Sequence, residues 1–253
     1  MSIHQGGPAP ATSEPLPELA QAGPPGGDPD TLPWRQLGQA VAHDLRAPVR
    51  HITAYGQLLQ EALATAPDTP VRQYAQAMVD AGQQLGRMVD ALADWARLGS
   101  QAPARSAVDT GALVAEVRHG LAAQAAGRRV EWCVEGPFPT LQADPVLLRL
   151  VWLQLLSNAL KFSAPRPLAR IELGCRRRAA GWDFHVRDNG VGFDPQRAAG
   201  LFGLFQRLHP GRQFDGLGAG LALCRQALAC QGGRIWIDAR PDDGCTASFS
   251  LPD

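Results

Sequence analysis

The chain has 253 residues, carries 24 cationic and 24 anionic side chains, and has a formal net charge of zero. This length accommodates one or two domains that each have a hydrophobic core. The balanced charge, without a cluster of basic residues, argues against a nucleic-acid partner. No run approaches the roughly 18 apolar residues of a membrane span. The N-terminus also lacks the charged start and apolar stretch of a signal peptide, so we expect a cytoplasmic protein.

The N-terminal part of the chain divides into a tail and a helical hairpin. Residues 1–30 are rich in Pro, Gly and Ala and poor in large apolar side chains, which predicts a disordered tail. Over 31–100, apolar residues recur at steps of three and four in two runs that are separated by A-T-A-P-D-T-P, which predicts two helices. The two apolar stripes are Leu37, Val41, Leu45, Val49, Ile52, Tyr55, Leu59 and Leu63, and then Val71, Tyr74, Met78, Leu85, Met88, Leu92 and Trp95.

Two antiparallel helices with one apolar stripe each cannot bury both stripes alone. We therefore expect a homodimer in which two hairpins pair into a four-helix bundle.

A second domain is predicted over 106–253, where helices and strands are interspersed. The predicted helices cover 109–124, 144–162 and 218–231, and a lid-like segment covers 194–217. Strands are predicted at 128–135, 140–143, 170–177, 182–187, 234–239 and 246–251. The fold class is therefore α+β: a helical hairpin followed by an α/β sandwich, with three helices layered on one face of a mixed sheet.

The segment A-V-A-H-D-L-R-A-P-V-R-H-I at 40–52 offers a candidate nucleophile. His43 lies midway between Val41 and Leu45, about 200° around the helix from either, so its imidazole should point away from the apolar stripe. The carboxylate of the adjacent Asp44 can orient the ring or accept its proton. The competing candidate, His51, has no adjacent acid.

Three segments further along the chain carry groups that suit a magnesium nucleotide. They are L-L-S-N-A-L-K-F-S at 155–163, D-N-G-V-G-F-D at 188–194 and G-L-G-A-G-L at 216–221. Glycines before a helix N-terminus suit phosphate, because they permit close approach and the helix dipole favours negative charge. Of the 24 lysine and arginine residues of the chain, Lys161 is the single lysine; it falls in the first segment and offers a compact point charge.

In this order and at these separations, the four segments resemble those of the sensor histidine kinases of two-component signalling. The resemblance covers about 34–253 and is nearest to the kinase modules of bacterial phytochromes. It implies a phosphoacceptor domain followed by an ATP-binding domain of the histidine kinase and gyrase type. His43 would take the phosphoryl group of ATP with help from Asp44, and an aspartate of a response-regulator receiver domain would then receive it. A separate sensor protein is a further candidate partner.

The same resemblance implies roles in the nucleotide site. Asn158 would ligate Mg²⁺ and Lys161 would contact a phosphate. Gln154 replaces the second asparagine of the family and is a second candidate ligand for the metal. Asp188 would accept a hydrogen bond from the amino group of adenine. Glycine turns and the lid would supply the remaining nucleotide contacts: Gly190, Gly192, Arg207, Gly216, Gly218 and Gly220.

Two other functions are compatible with parts of this pattern. A gyrase-type ATPase shares the motif around Asn158, but it uses a glutamate four residues earlier to activate water, and Gln154 cannot act as a base. A catalytically inactive phosphotransfer or scaffold protein would bind partners through the hairpin, but the intact motifs argue against it.

Overall fold

A computed structural model of the chain describes residues 32–63, 69–100, 102–208 and 214–253. The description leaves out the side chains of residues 32–41, 43, 44, 47, 48, 62, 69, 70 and 199. The predicted tail and the side chains of the predicted catalytic pair, His43 and Asp44, therefore lie outside the described residues. Within the described ranges, no helix combines the length and the apolar character that crossing a membrane requires.

The first two helices form an antiparallel hairpin that is held together by small residues. Helix α1 spans Leu32–Ala62 and helix α2 spans Thr69–Leu98. A Cβ added to Gly56 would lie 2.9 Å from Cγ2 of Val79. A Cβ added to Gly82 would lie 2.6 Å from a side-chain oxygen of α1. Because the helices approach so closely, larger side chains cannot be accommodated at these positions.

Another face of the hairpin carries large apolar side chains that this single chain leaves exposed. We call it the exposed apolar face, and it comprises Leu45, Ile52, Tyr55, Leu58, Leu59, Tyr74, Met78 and Leu85. All of them except Leu58 belong to the two predicted stripes. Val49, which the pattern assigns to the same stripe, is instead buried between the helices. Exposed apolar side chains in such number are typical of an interaction surface.

Among the described residues, seven strands follow the hairpin. They are β1 (Ser106–Asp109), β2 (Val130–Val134), β3 (Thr140–Ala143), β4 (Ala169–Arg178), β5 (Gly181–Asp188), β6 (Arg234–Arg240) and β7 (Gly244–Leu251). The main sheet has the order β2-β4-β5-β7-β6. β2 and β4 are parallel and the other neighbours are antiparallel, so the sheet is mixed, as the sequence predicts. A separate small sheet pairs β1 with β3.

Helices pack on one face of the main sheet. They are α3 (Thr110–Gly120), α4 (Ala122–Ala125), α5 (Pro145–Phe162) and α6 (Gly220–Ala229). The centre of the core lies beneath α5, where the fully buried Trp152 contacts Phe184 and Phe249 of the sheet. The ring centroids of these two residues lie 5.8 and 5.2 Å from that of Trp152. The predicted α/β sandwich is therefore confirmed.

Two local predictions differ from the structure. The helix predicted over 109–124 is divided into α3 and α4, and the division follows Gly120, a residue with low helix propensity. Strand β1 was not predicted, because its four residues contain a single large apolar side chain, that of Val108. A strand this short has no alternating pattern, and only its pairing with β3 defines it.

Asp144 connects the segment that leaves the hairpin to helices α5 and α6. Its Oδ1 accepts a hydrogen bond from Val146 N at 2.9 Å and caps α5, while its Oδ2 accepts from Ala104 N at 2.8 Å. The side-chain oxygen of Gln231, just after α6, accepts from Asp144 N at 2.7 Å. The backbone carbonyl of Gln231 accepts from Arg105 Nη2 at 3.0 Å. These bonds fix residues 104 and 105 against the ends of both helices.

We expect Asp144→Ala to lower the free energy of unfolding by about 1–3 kcal/mol, because it removes both the helix cap and the acceptor for Ala104 N. Asp144→Ser should cost less, since serine caps a helix well but is too short to reach residue 104 as well. Urea denaturation of the two variants and the wild type measures both effects. Equal losses for the two variants would show that the cap contributes nothing at this position.

Candidate functional site

A cavity of about 340 Å³ lies between α5, α6, the main sheet and the lid-like segment. Nine of the predicted site residues line it: Gln154, Asn158, Lys161, Asp188, Gly192, Arg207, Gly216, Gly218 and Gly220. Gly190 is not among the lining residues. Ala91 of α2 also contributes to the wall, so the hairpin reaches the rim of the cavity.

Asp188, the last residue of β5, lines the cavity. Its side chain is buried, and its Oδ1 accepts a hydrogen bond from Gly190 N at 2.8 Å. Burial raises the pKa of Asp188 from 3.8 to about 6, although hydrogen bonds from the backbone N–H groups of Gly190 and Cys245 act in the opposite direction. An ionised carboxylate has only acceptor atoms, so Asp188 suits a ligand that donates hydrogen bonds.

The loop after Asp188 can pack closely because of its glycines. A Cβ on Gly190 would lie 2.6 Å from the Phe162 carbonyl oxygen. Gly192 has a φ of +58°, and a Cβ there would collide with the carbonyl of Arg240. Gly190 therefore supports the site by letting the loop pack against the end of α5, whereas the resemblance assigned it a contact with the ligand.

Two amide side chains project from α5 toward the cavity. Gln154 and Asn158 are four residues apart and thus lie on the same face of the helix. The Gln154 amide lies directly against Gly220, where an added Cβ would collide with Gln154 Oε1. The longer side chain of Gln154 therefore reaches the start of α6.

Two cationic side chains, Lys161 and Arg207, line the cavity close to each other. Burial lowers the pKa of Lys161, and the nearby positive charge of Arg207 lowers it further, while Asp215 acts in the opposite direction. Lys161 Nζ lies 4.5 Å from the centre of the Phe162 ring. Arg207 donates a hydrogen bond to the Phe214 carbonyl. Since like charges repel, two cations in one partly buried site favour an anionic ligand.

The glycine turn leads into the N-terminus of α6 beside these cations. Gly216 and Gly218 have φ values of +138° and +74°, which residues other than glycine rarely adopt. Ala219 occupies the N-cap position and provides no side-chain hydrogen bond to the first turn of α6. Backbone N–H groups at a helix start without such a cap can bind phosphate oxygens.

Several residues of the site carry no signal in the sequence. Phe214 and Asp215 of the lid, Cys245 of β7 and Ala91 of α2 line the cavity, but none stands in a pattern that indicates a site. Cys245 reaches the cavity because β7 pairs with β5 in a register that sets it opposite Asp188. Such a register depends on the tertiary fold.

Each of the two parts of the chain matches a known protein family. Residues 34–101 match the family described as the His Kinase A (phospho-acceptor) domain. Residues 143–253 match the family described as Histidine kinase-, DNA gyrase B-, and HSP90-like ATPase. The chain belongs to the histidine kinases. The first matched region of this kinase contains the candidate nucleophile His43. The second contains nearly all the residues that line the cavity.

Individual relatives point to the same family. Cyanobacterial phytochrome A of a Nostoc species is 28% identical over 218 residues, which are 86% of this kinase chain and 28% of the phytochrome. Sensor-like histidine kinase SenX3 of Mycobacterium tuberculosis is 31% identical over 219 residues, 84% of this chain and 52% of SenX3. The chain thus spans about half or less of the length of these relatives.

A solved structure of full-length ShkA in complex with AMPPNP is also similar. Its TM-score is 0.63 and its sequence identity is 26%, over 86% of this kinase chain and 46% of ShkA.

We predict that Asp188→Asn stabilises the nucleotide-free kinase at pH 8 by about 1–3 kcal/mol, because the wild type must bury a charge there. The pKa of Asp188 is about 6 in the folded state and 3.8 as an ordinary value, so the folded protein binds a proton more tightly. The contribution of this group to stability is therefore full below pH 4 and is lost as the pH rises through 6. Urea denaturation of both proteins at pH 4 and pH 8 measures the difference, and an advantage independent of pH would contradict the prediction.

Proposed function

We propose that this chain is an ATP-dependent protein kinase that phosphorylates its own His43 and passes the phosphoryl group to an aspartate of a response regulator. The observation that carries the proposal is the meeting of Asn158, Lys161, Asp188 and the glycine turn in one cavity. These groups come from separate segments of a chain whose N-terminal part matches the phospho-acceptor family.

The charges of the cavity support ATP as the substrate. The buried carboxylate of Asp188 would accept a hydrogen bond from the amino group of adenine. Lys161, Arg207 and the N-terminus of α6 would bind the phosphates. A cavity of about 340 Å³ is within the range of small-molecule sites.

The oxygen donors of the cavity fit magnesium. Among the described residues, no group of three His, Cys, Asp or Glu side chains could hold a metal ion. The amide oxygens of Asn158 and Gln154 are hard ligands of the kind that Mg²⁺ accepts together with nucleotide phosphates. Bound there, the ion would offset negative charge on the phosphates.

In the proposed reaction, a nitrogen of the neutral His43 imidazole attacks the γ-phosphorus of ATP. An N–P bond forms while the bond from the γ-phosphorus to its bridging oxygen breaks, and ADP leaves with that electron pair. The proton on the other ring nitrogen moves toward the carboxylate of Asp44. Lys161 and the backbone N–H groups of the glycine turn offset the charge of the transferring group. An aspartate of the response regulator then attacks the same phosphorus and releases the imidazole.

The exposed apolar face supports a homodimer. Leaving eight large apolar side chains of one hairpin in water is unfavourable, at about 25 cal/mol for each Å² of apolar surface. A second copy would cover the face by completing a four-helix bundle. A response-regulator receiver domain and a separate sensor protein are the further partners that we propose.

We expect His43→Gln to abolish phosphorylation from γ-labelled ATP in the presence of Mg²⁺ and to leave nucleotide affinity unchanged, because His43 belongs to the part of the chain that matches the phospho-acceptor family and not to the part that matches the ATPase family. The wild-type label should be lost in acid and retained in base, as phosphohistidine is. Asn158→Ala should slow labelling by about tenfold or more and raise the Mg²⁺ requirement, since even outer-shell partners of a metal contribute this much. Undiminished labelling of His43→Gln would place the acceptor elsewhere, with His51 the first alternative.

We also expect Leu85→Asp to convert the dimer to a monomer, because it would bury an unpaired charge in the bundle. Val146→Asp is the matched control, since Val146 is an exposed apolar residue of α5, outside the hairpin. Sedimentation equilibrium of the full chain distinguishes the two species. A Leu85→Asp protein that remains dimeric would exclude the exposed apolar face as the interface.

A further inference from the structure

Arg166 binds three backbone carbonyls that surround the end of β5. Its Nε donates a hydrogen bond to the Asn189 carbonyl at 2.8 Å, and its Nη2 donates to the carbonyls of Gly190 at 3.0 Å and Asp242 at 2.7 Å. The side chain is 30% exposed, and it does not line the cavity. Arg166 therefore contacts the backbone next to the site and does not form part of the cavity wall.

Two of these carbonyls, those of Asn189 and Gly190, belong to the loop that follows Asp188. Gly190 donates its N–H to Asp188 Oδ1 and its carbonyl accepts from Arg166, so one residue joins the two side chains. The opposite side of the loop is held by Asp242, whose N–H donates to the Val191 carbonyl at 2.8 Å. Arg166 bonds to both of these segments at once.

The chemistry of arginine suits this task better than that of lysine. A guanidinium presents five N–H donors in a rigid plane and can bind several carbonyls simultaneously, whereas the ammonium of lysine is a compact point charge on a flexible stem. Pro165 and Pro167 flank Arg166 and restrict the backbone of the segment, which reduces the entropy lost when the side chain is held. The segment is thus built to hold the guanidinium in one place.

We propose that Arg166 is a positioning residue for base recognition, which acts through Gly190 to hold the carboxylate of Asp188 toward the ligand. This inference rests on the proposed nucleotide function and adds to it a residue outside the cavity. Without Arg166, the loop keeps its glycines but loses two hydrogen bonds and its connection to Asp242, so the Gly190 N–H holds the Asp188 carboxylate less firmly and the Cys245 N–H is left as its other backbone donor. Replacing Arg166 should therefore weaken the hydrogen bond between Asp188 and the 6-amino group of the purine and leave the other ligand contacts unchanged.

The test compares two nucleotides on the full-length chain. ATP carries the 6-amino group, and purine riboside triphosphate lacks it but keeps the ring, ribose and phosphates. Arg166→Lys should weaken ATP binding by about tenfold, the equivalent of one hydrogen bond in a buried pocket, and leave the affinity for purine riboside triphosphate unchanged. The ratio of the affinity for ATP to the affinity for purine riboside triphosphate should therefore fall by the same factor, as measured by calorimetric titration.

Arg170→Lys is the matched control. Arg170 lies in the adjoining strand β4, and its side chain is exposed and bound to Glu131 at 2.8 Å. This variant should bind both nucleotides as the wild type does. Equal weakening of both nucleotides in Arg166→Lys would mean general support of the fold and would overturn the proposal, as would unchanged binding of both.

Hydrogen exchange in the nucleotide-free protein gives an independent measurement. Amides of residues 189–192 should exchange faster in Arg166→Lys than in the wild type and remain unchanged in Arg170→Lys. Unaltered exchange would overturn the proposal whatever the nucleotides do. A wild type that binds both nucleotides equally would contradict base recognition by Asp188 and this proposal with it, while the exchange rates would still show whether Arg166 holds the loop.

Discussion

The carboxylate of Asp188 lies where burial disfavours its charge, and the surrounding backbone is arranged to offset that cost. The N–H groups of Gly190 and Cys245 both stabilise the ionised form. To bring the first of these N–H groups into place, the chain must turn tightly after β5, and glycines at 190 and 192 allow the turn to pack against its neighbours. Arg166 then binds the carbonyls on the far side. A single buried acceptor thus accounts for the conformation of several segments.

Helices α5 and α6 link the cavity to the segment that leaves the hairpin. α5 begins at the Asp144 cap and carries Asn158 and Lys161 near its other end, about 24 Å away at 1.5 Å per residue. α6 begins at Gly220 in the glycine turn and ends close to Gln231, which holds the same segment. The two helices pack against each other, so the cavity and the segment that leaves the hairpin are connected through the same helix pair.

The hairpin uses small and large side chains for different contacts. Between its two helices lie Ala42, Gly56, Ala75 and Gly82, which allow the backbones to approach closely. The large side chains of the exposed apolar face are left for a surface outside the single chain. This division follows from volume, because a close helix pair excludes large residues, whereas the core of the proposed four-helix bundle would require them.

The sequence by itself determined most of the elements and the polar centre of the candidate site. Periodicity predicts the two long helices, the pattern after residue 143 predicts a helix that begins at Asp144, and the motifs identify nine of the residues that line the cavity. These features are local, because they depend on spacing and on residue type within a few turns of chain. Tertiary structure decided that Val49 is buried between the helices, that Gly190 packs behind the cavity, and that Arg166 reaches carbonyls on two other segments. Contacts between residues far apart in the chain fix these outcomes, and spacing within one segment does not encode such contacts. The raised pKa of Asp188 has the same origin, because the burial that causes it depends on the packing of the whole domain.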